Sequence, residues 1–280
     1  MSEIRIDALL PAEMATRAEY IGVRKAEAPA LTTFTLSILA GAFIALGAIF
    51  ATTVSAGTTG VLPYGVVRVL MGFVFSLGLI LVVVGGAELF TGNNLIVMAW
   101  ASGKVAGRAL LRNWLIVYLG NFAGSFGTAV LVFLSRQYTF GNGAVGEAAL
   151  KIAVGKIHLG FWQAVALGVL CNALVCMAVW MTFSARSTMD KIAAILFPIA
   201  AFVAAGFEHS IANMYFVPYA LLIQIFDPAF VAGVAVDLNG LSWSSFLVNN
   251  LIPVTVGNII GGAILVAATY WSVFLRNKDA

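Results

Sequence analysis

The sequence predicts an all-α integral membrane protein of six transmembrane helices, built as a 3+3 inverted repeat with helices 2 and 5 broken. Three observations carry that reading. First, the 280 residues are 61% hydrophobic and 10% charged, with mean hydropathy +1.01, whereas about a quarter of a soluble domain is charged. Second, the apolar residues run in long blocks rather than in ten-residue alternating segments, which favours a helical bundle over an outer-membrane barrel. Third, two of these blocks are too long for one crossing and too short for two.

In chain order, the first 30 residues are polar, with Arg5, Asp7, Glu13, Arg17, Glu19, Arg24, Lys25 and Glu27, and lack the apolar core of a signal peptide. They are expected to form a cytoplasmic amphipathic helix, opened by Pro11 and stopped by Gly22. A single transmembrane domain follows over 31–276, with repeats at about 31–135 and 160–276, and then a tail at 277–280. Its apolar segments lie at about 31–54, 65–101, 109–134, 160–184, 191–226 and 248–275. One crossing takes about 20 residues, or about 25 when tilted.

The second and fifth segments therefore need an interruption, and each contains residues suited to one. Gly85-Gly86 and Thr91-Gly92-Asn93-Asn94 break the second; Gly206, Glu208-His209-Ser210 and Asn213 break the fifth. Irregular backbone at membrane depth is tolerated only where it is buried in protein or lines a cavity. Each long segment is expected to consist of two half-helices.

Basic residues set the orientation. Eleven Lys and Arg fall at the termini and in the 2/3 and 4/5 loops, against four on the opposite side: Arg68, Arg136, Lys151 and Lys156. The positive-inside rule places both termini in the cytoplasm. The repeat rests on Asn113-Trp-Leu-Ile-Val-Tyr-Leu-Gly-Asn121-Phe-Ala-Gly124 and Asn250-Leu-Ile-Pro-Val-Thr-Val-Gly-Asn258-Ile-Ile-Gly261, which share N-x-[LI]-x-V-x-[LV]-G-N-x-x-G. Two matched halves of three spans each must have opposite orientation, an architecture in which binding sites form at the breaks. The Gly120/Gly124 and Gly257/Gly261 pairs suit close helix packing.

The composition also excludes functions. A net charge of +3, with the basic residues in loops and termini, gives no nucleic-acid surface. Cys171 and Cys176 lie in one apolar stretch and offer neither a disulfide framework nor a metal-ligand spacing. No metal or other cofactor is expected.

Ionisable residues at membrane depth are costly and mark pathways or substrate sites, which directs attention to Glu208 and His209. An uncompensated small anion in the bilayer core faces a Born cost of about 20 kcal/mol. Half-helix N-termini at the midplane can offset part of it with unpaired N–H groups and a positive dipole end. His209 adds a donor and Thr91 a hydroxyl, while Glu208 is expected to turn away from the anion and bond to backbone or Asn. Asn172 reads equally as glue between helices or as a pore residue. Lys156 reads as a solvated loop residue or as part of an anion-attracting vestibule. An intramembrane enzyme lacks a nucleophile or ligand set beside His209, and a neutral-solute channel is a further alternative.

With these residues in view, the chain resembles the formate/nitrite transporter family over nearly its whole length. The resemblance rests on Asp7-Ala-Leu-Leu-Pro-Ala-Glu-Met14, Phe75-Ser-Leu-Gly-Leu-Ile-Leu81, Glu88-Leu-Phe-Thr91, Arg186-Ser-Thr-Met-Asp-Lys191, Gly206-Phe-Glu-His-Ser-Ile-Ala-Asn-Met214 and Asn249-Asn-Leu-Ile-Pro-Val-Thr-Val-Gly-Asn258. It implies an aquaporin-like fold assembled as a homopentamer in the bacterial inner membrane, with a pore in each protomer for formate and related small anions. It further implies a polar pair Thr91 and His209, supported by Glu208, Asn172 and Asn258. Phe75, Leu79, Leu89 and Phe202 would form apolar constrictions, Lys156 the outer vestibule, and the N-terminal segment a pH-sensitive gate. After Thr91 the chain carries Gly92-Asn93-Asn94, closer to nitrite-type members, whereas the N-terminal motif and the 4/5 loop are of formate type. A nitrite or hydrosulfide channel is the alternative within the family.

Overall fold

In a computed structural model, residues 9–276 are described; Arg5, the Asp7-Ala8 start of the N-terminal motif, and the 277–280 tail lie outside them. Among the described residues the chain is helical and has no strands. Six helices are long and apolar enough to cross a membrane: α2 (Ala30–Ser55), α3 (Tyr64–Gly85), α5 (Gly107–Leu134), α7 (Phe161–Thr182), α8 (Thr188–Ala205) and α11 (Trp243–Phe274). The remaining helices are α1 (Pro11–Glu27), α4 (Val97–Ala101), α6 (Ala144–Ile157), α9 (Ser210–Phe226) and α10 (Pro228–Ala232).

The second and fifth segments are broken where the sequence suggests, but not into equal halves. α3 runs for 22 residues and is followed only by a 3-10 turn, Gly92–Ile96, and the five-residue α4. The fifth segment divides more evenly, into 18 residues of α8 and 17 of α9. The asymmetry follows from Gly92-Asn93-Asn94: Gly and Asn are poor helix formers, and Asn side chains compete for nearby hydrogen bonds.

Both breaks have the same construction. Gly86 and Gly206 end α3 and α8 at φ 76° and 80°, left-handed values that suit glycine. The N–H of Ala87 then donates to Val82 O at 2.9 Å, and that of Phe207 to Phe202 O at 3.0 Å. One residue further, Glu88 N–H reaches Leu36 O on α2 at 3.2 Å and Glu208 N–H reaches Leu167 O on α7 at 3.3 Å. Neighbouring helices thus take up the backbone donors that each break frees.

Close approach of backbones fixes the scaffold around these breaks. A Cβ placed on Gly41 or Gly124 would strike the Asn121 or Ile38 carbonyl between α2 and α5; on Gly257 or Gly261 it would strike Val165 or Val169 O between α7 and α11. The repeat glycines therefore pack helices, as the small-xxx-small spacing predicts. Within α11, Phe246–Leu251 and Ile260–Ala268 are π-helical. Pro253 has no N–H for the carbonyl four residues back, so the ladder changes register beside it.

Two expectations need correction. Gly22 does not stop α1, which continues to Glu27. The missing side chain instead lets α1 lie against Ile96 and Ala99, and Pro29 ends the helix. Lys156 is not in a loop: it sits in the last turn of α6. That helix buries Val145, Gly146, Ala149, Leu150, Ala153 and Ile157 as one stripe and packs on α9.

Candidate functional site at the helix breaks

Each break is held by one asparagine. Asn258 Oδ1 accepts from Ser210 N–H at 2.9 Å, and its Nδ2 donates to Gly168 O and Glu208 O, both at 2.9 Å. Asn121 does the same at the other break, accepting from Phe90 N–H and donating to Ser37 O and Glu88 O at 2.8–2.9 Å. Asn172 Nδ2 reaches Asn258 O at 2.7 Å and Thr91 O at 3.3 Å, coupling the two breaks. It has room because residue 262 is glycine, whose Cβ would collide with that amide. Asn172 thus bonds across helices, as its reading as interhelical glue requires.

His209 is the N-cap of α9. Its Nδ1 accepts from Ala212 N–H at 3.1 Å, which assigns the ring proton to Nε2, and Nε2 lies 3.0 Å from Thr91 Oγ1. The imidazole is therefore a fixed donor toward Thr91, and a second proton on Nδ1 would break the cap bond. Ser210 N–H and Ala212 N–H are already satisfied within the protein, so the α9 N-terminus has fewer free donors for an anion than the sequence suggests. Ser210 Oγ is buried without a partner, and neither imidazole nitrogen bonds to it, so the two do not form a nucleophilic dyad.

Apolar side chains surround this polar pair. Phe202 lies flat over His209, ring centroids 5.9 Å apart, and meets Phe75 edge-on at 5.7 Å. Phe75, Leu79, Leu89, Phe202 and His209 share a central cavity of about 10 Å³, room for roughly one water. Phe75, Phe202 and His209 also line a cavity of about 310 Å³ beside α6. Leu79 and Leu89 line one of about 220 Å³ beneath α1. The small central cavity thus shares Phe75, Phe202 and His209 with the α6 cavity, and Leu79 and Leu89 with the α1 cavity.

Glu208 lines the α6 cavity with His209 and bonds both to asparagines and to a partner the sequence did not reveal. Its Oε1 accepts from Lys156 Nζ at 2.8 Å, and its Oε2 from Asn213 at 2.7 Å and Asn250 at 3.2 Å. Asn250 Nδ2 closes the ring on Lys156 O, and Asn213 bonds Asn250 Oδ1. An equivalent cluster, absent from the sequence reading, lies beneath α1. Lys25 Nζ donates to Glu88 and Asn93 at 2.9 Å, Asn93 Nδ2 to Glu88 and Asn113, and Asn113 Nδ2 to Lys25 O. The matched spacings Glu88/Asn93 and Glu208/Asn213 were the available signal. Asn113 and Asn250 open the repeated motif, and Tyr118 and Thr255, a further matched pair, bond to each other at 2.8 Å. Among the described residues no group of His, Cys, Asp or Glu is arranged to hold a metal ion, and both cysteines are buried and free.

The family model described as Formate/nitrite transporter matches residues 12–272. The chain is 48% identical to the formate channel FocA of Escherichia coli K12, covering 98% of this chain and 97% of that one. It is 39% identical to a probable formate transporter of Methanothermobacter thermautotrophicus, covering 95% and 97%. Among solved structures, one titled "Pentameric formate channel with formate bound" superposes with TM-score 0.83 at 47% identity, covering 88% of this chain and 98% of that one. An "FNT family ion channel" gives TM-score 0.77 at 27% identity, covering 94% and 98%.

Proposed function

This chain belongs to the formate/nitrite transporter family, whose members compared above are channels and transporters rather than enzymes, and on that premise we propose that it is a formate channel. It works as a homopentamer in the bacterial inner membrane, each protomer carrying its own pore through an inverted repeat. The observation that supports the pore is the small central cavity, which shares Leu79 and Leu89 with the α1 cavity and Phe75, Phe202 and His209 with the α6 cavity. The α1 cavity faces the cytoplasm, where α1 acts as a gate, and the α6 cavity faces outward.

A formate ion enters the α6 cavity with its water, sheds most of it between the Phe75 and Phe202 rings, and meets the hydroxyl of Thr91 and the Nε2–H of His209, which it shares with Thr91 Oγ1. These donors offset part of the desolvation cost. The fixed Nδ1 cap makes the imidazole a hydrogen-bond donor rather than a proton carrier, so the ion crosses the centre as an anion. Asn172 and Asn258 hold Thr91 and the break in place, and Glu208 with Lys156 anchors His209 from behind. Phe75, Leu79, Leu89 and Phe202 keep bulk water from short-circuiting the site.

Purified protein in liposomes is expected to pass formate faster than nitrite and to exclude glycerol. Nitrite flux exceeding formate flux would shift the assignment to the nitrite type within the family; glycerol-driven swelling would remove the anion reading.

A further inference from the structure

Three cations line the α6 cavity, and only one of them lacks a carboxylate. Lys156 is paired with Glu208 at 2.8 Å and Lys151 with Glu147 at 2.6 Å. Arg68, on α3, lines the same cavity and has no acidic partner among the described residues. Its Nε donates to Ala204 O at 3.1 Å and its Nη2 to Val203 O.

Those two carbonyls belong to the last turn of α8, the end that carries the negative pole of the helix dipole toward the cavity. An anion entering there would meet partial negative charge from α8 and a neutralised Lys156–Glu208 pair. The cavity beneath α1 is different. Its lining cation, Lys25, is paired with Glu88, and no arginine among its lining residues spans the last carbonyls of α3.

We propose that Arg68 is the anion-attracting residue of the α6 cavity. Its guanidinium cancels the negative end of α8 and leaves net positive charge at the mouth, so anions enter faster from this side than from the α1 side. A planar fork suits this task, because it spans two adjacent carbonyls and still has N–H groups to offer a carboxylate. The Lys156 vestibule expected from the sequence passes this role to Arg68, since the charge of Lys156 is spent on Glu208. A single uncompensated cation in a low-dielectric cleft raises local anion concentration, and salt screens the effect over about 10 Å at 0.1 M.

The inference rests on the anion-channel reading, and one experiment separates their failures. Full-length protein in planar bilayers is given formate from one side at a time, at low and at near-molar background salt of an impermeant ion. Wild type is expected to conduct formate entering from the α6 side several-fold better at low salt, with the advantage lost at high salt. Arg68→Gln is expected to remove both the advantage and its salt dependence, and Arg68→Lys to keep most of each. Equal salt dependence from both sides of the wild type overturns the proposal without any variant, as does a folded Arg68→Gln pentamer that keeps the wild-type asymmetry. Absence of formate current in the wild type from either side would instead remove the channel reading on which the proposal depends.

Discussion

Replacing Lys156 by methionine will lower the stability of the protein more than any change at a surface ion pair, by about 3–5 kcal/mol, the cost of leaving a buried carboxylate without its counter-ion. The pair is deeply placed: the Lys156 and Glu208 side chains are 14% and 7% exposed, against 29% and 13% for Lys25 and Glu88. Lys25→Met should therefore cost less, even though its cluster has the same connectivity. The Arg136–Asp227 pair, whose cation is 69% exposed, should contribute at most about 1 kcal/mol. Thermal unfolding of the detergent-solubilised protein measures the order. The double variant Lys156→Met/Glu208→Gln should recover much of the loss, because it removes the stranded charge along with its partner. A Lys156→Met protein melting like wild type would mean that solvent reaches Glu208 and that the cluster does not hold the break.

His209→Phe will reduce formate flux by about 10- to 100-fold or more while the protein still assembles. Phenylalanine fills the same space beside Phe202 but removes two functions at once. The cap on Ala212 N–H is lost, at about 1 kcal/mol of helix stability, and so is the Nε2–H donor beside Thr91. Only the second affects the ion. Without it a dehydrated anion at the centre of the pore has lost its one side-chain N–H donor, and losing a hydrogen bond to a charged group costs about 1.5–3 kcal/mol in the ground state, more where water cannot substitute. His209→Asn separates the two effects, since asparagine is a good N-cap. It should restore stability and return only part of the flux. Initial rates in proteoliposomes, with melting temperature followed alongside, decide between them; His209→Phe with wild-type rates would remove His209 from the path.

Much of the fold was legible because hydropathy reports membrane spans directly. All six apolar segments have helical counterparts near their expected ends, and both breaks fall at their Gly-containing interruptions. α6 escaped notice because Glu147, Lys151 and Lys156 make its composition look like a connection, although its buried positions recur at helical spacing. Gly22 misled for a different reason. A glycine after a polar run reads as a stop, but here the absent side chain allows α1 to lie against Ile96 and Ala99.

In the site, residues close in sequence were easier to relate than residues close only in space. Glu208 and His209 stood out as ionisable groups in an apolar run, and the repeated motif pointed to Asn258. The partners of Glu208 were not legible. Lys156 lies 52 residues away and Asn250 lies 42 away, and only the packing of α6 and α11 against the break brings them together. The same holds for Lys25, 63 residues from Glu88. The tautomer of His209 was equally hidden, because it depends on the backbone of Ala212, which has no sequence signature.

The central claim is that ions cross each protomer through the constriction between the two cavities, and Leu79 gives direct access to it. Leu79 lines both the cavity beneath α1 and the central one, while Cys171 and Cys176 are fully buried and shielded from reagents. Formate flux through Leu79→Cys protein in liposomes, measured before and after a small methanethiosulfonate reagent delivered from the α1 side, therefore tests the route. The account predicts that modification abolishes flux through the variant and leaves the wild type unaffected. Undiminished flux through fully modified Leu79→Cys protein would contradict it and place the ion path elsewhere.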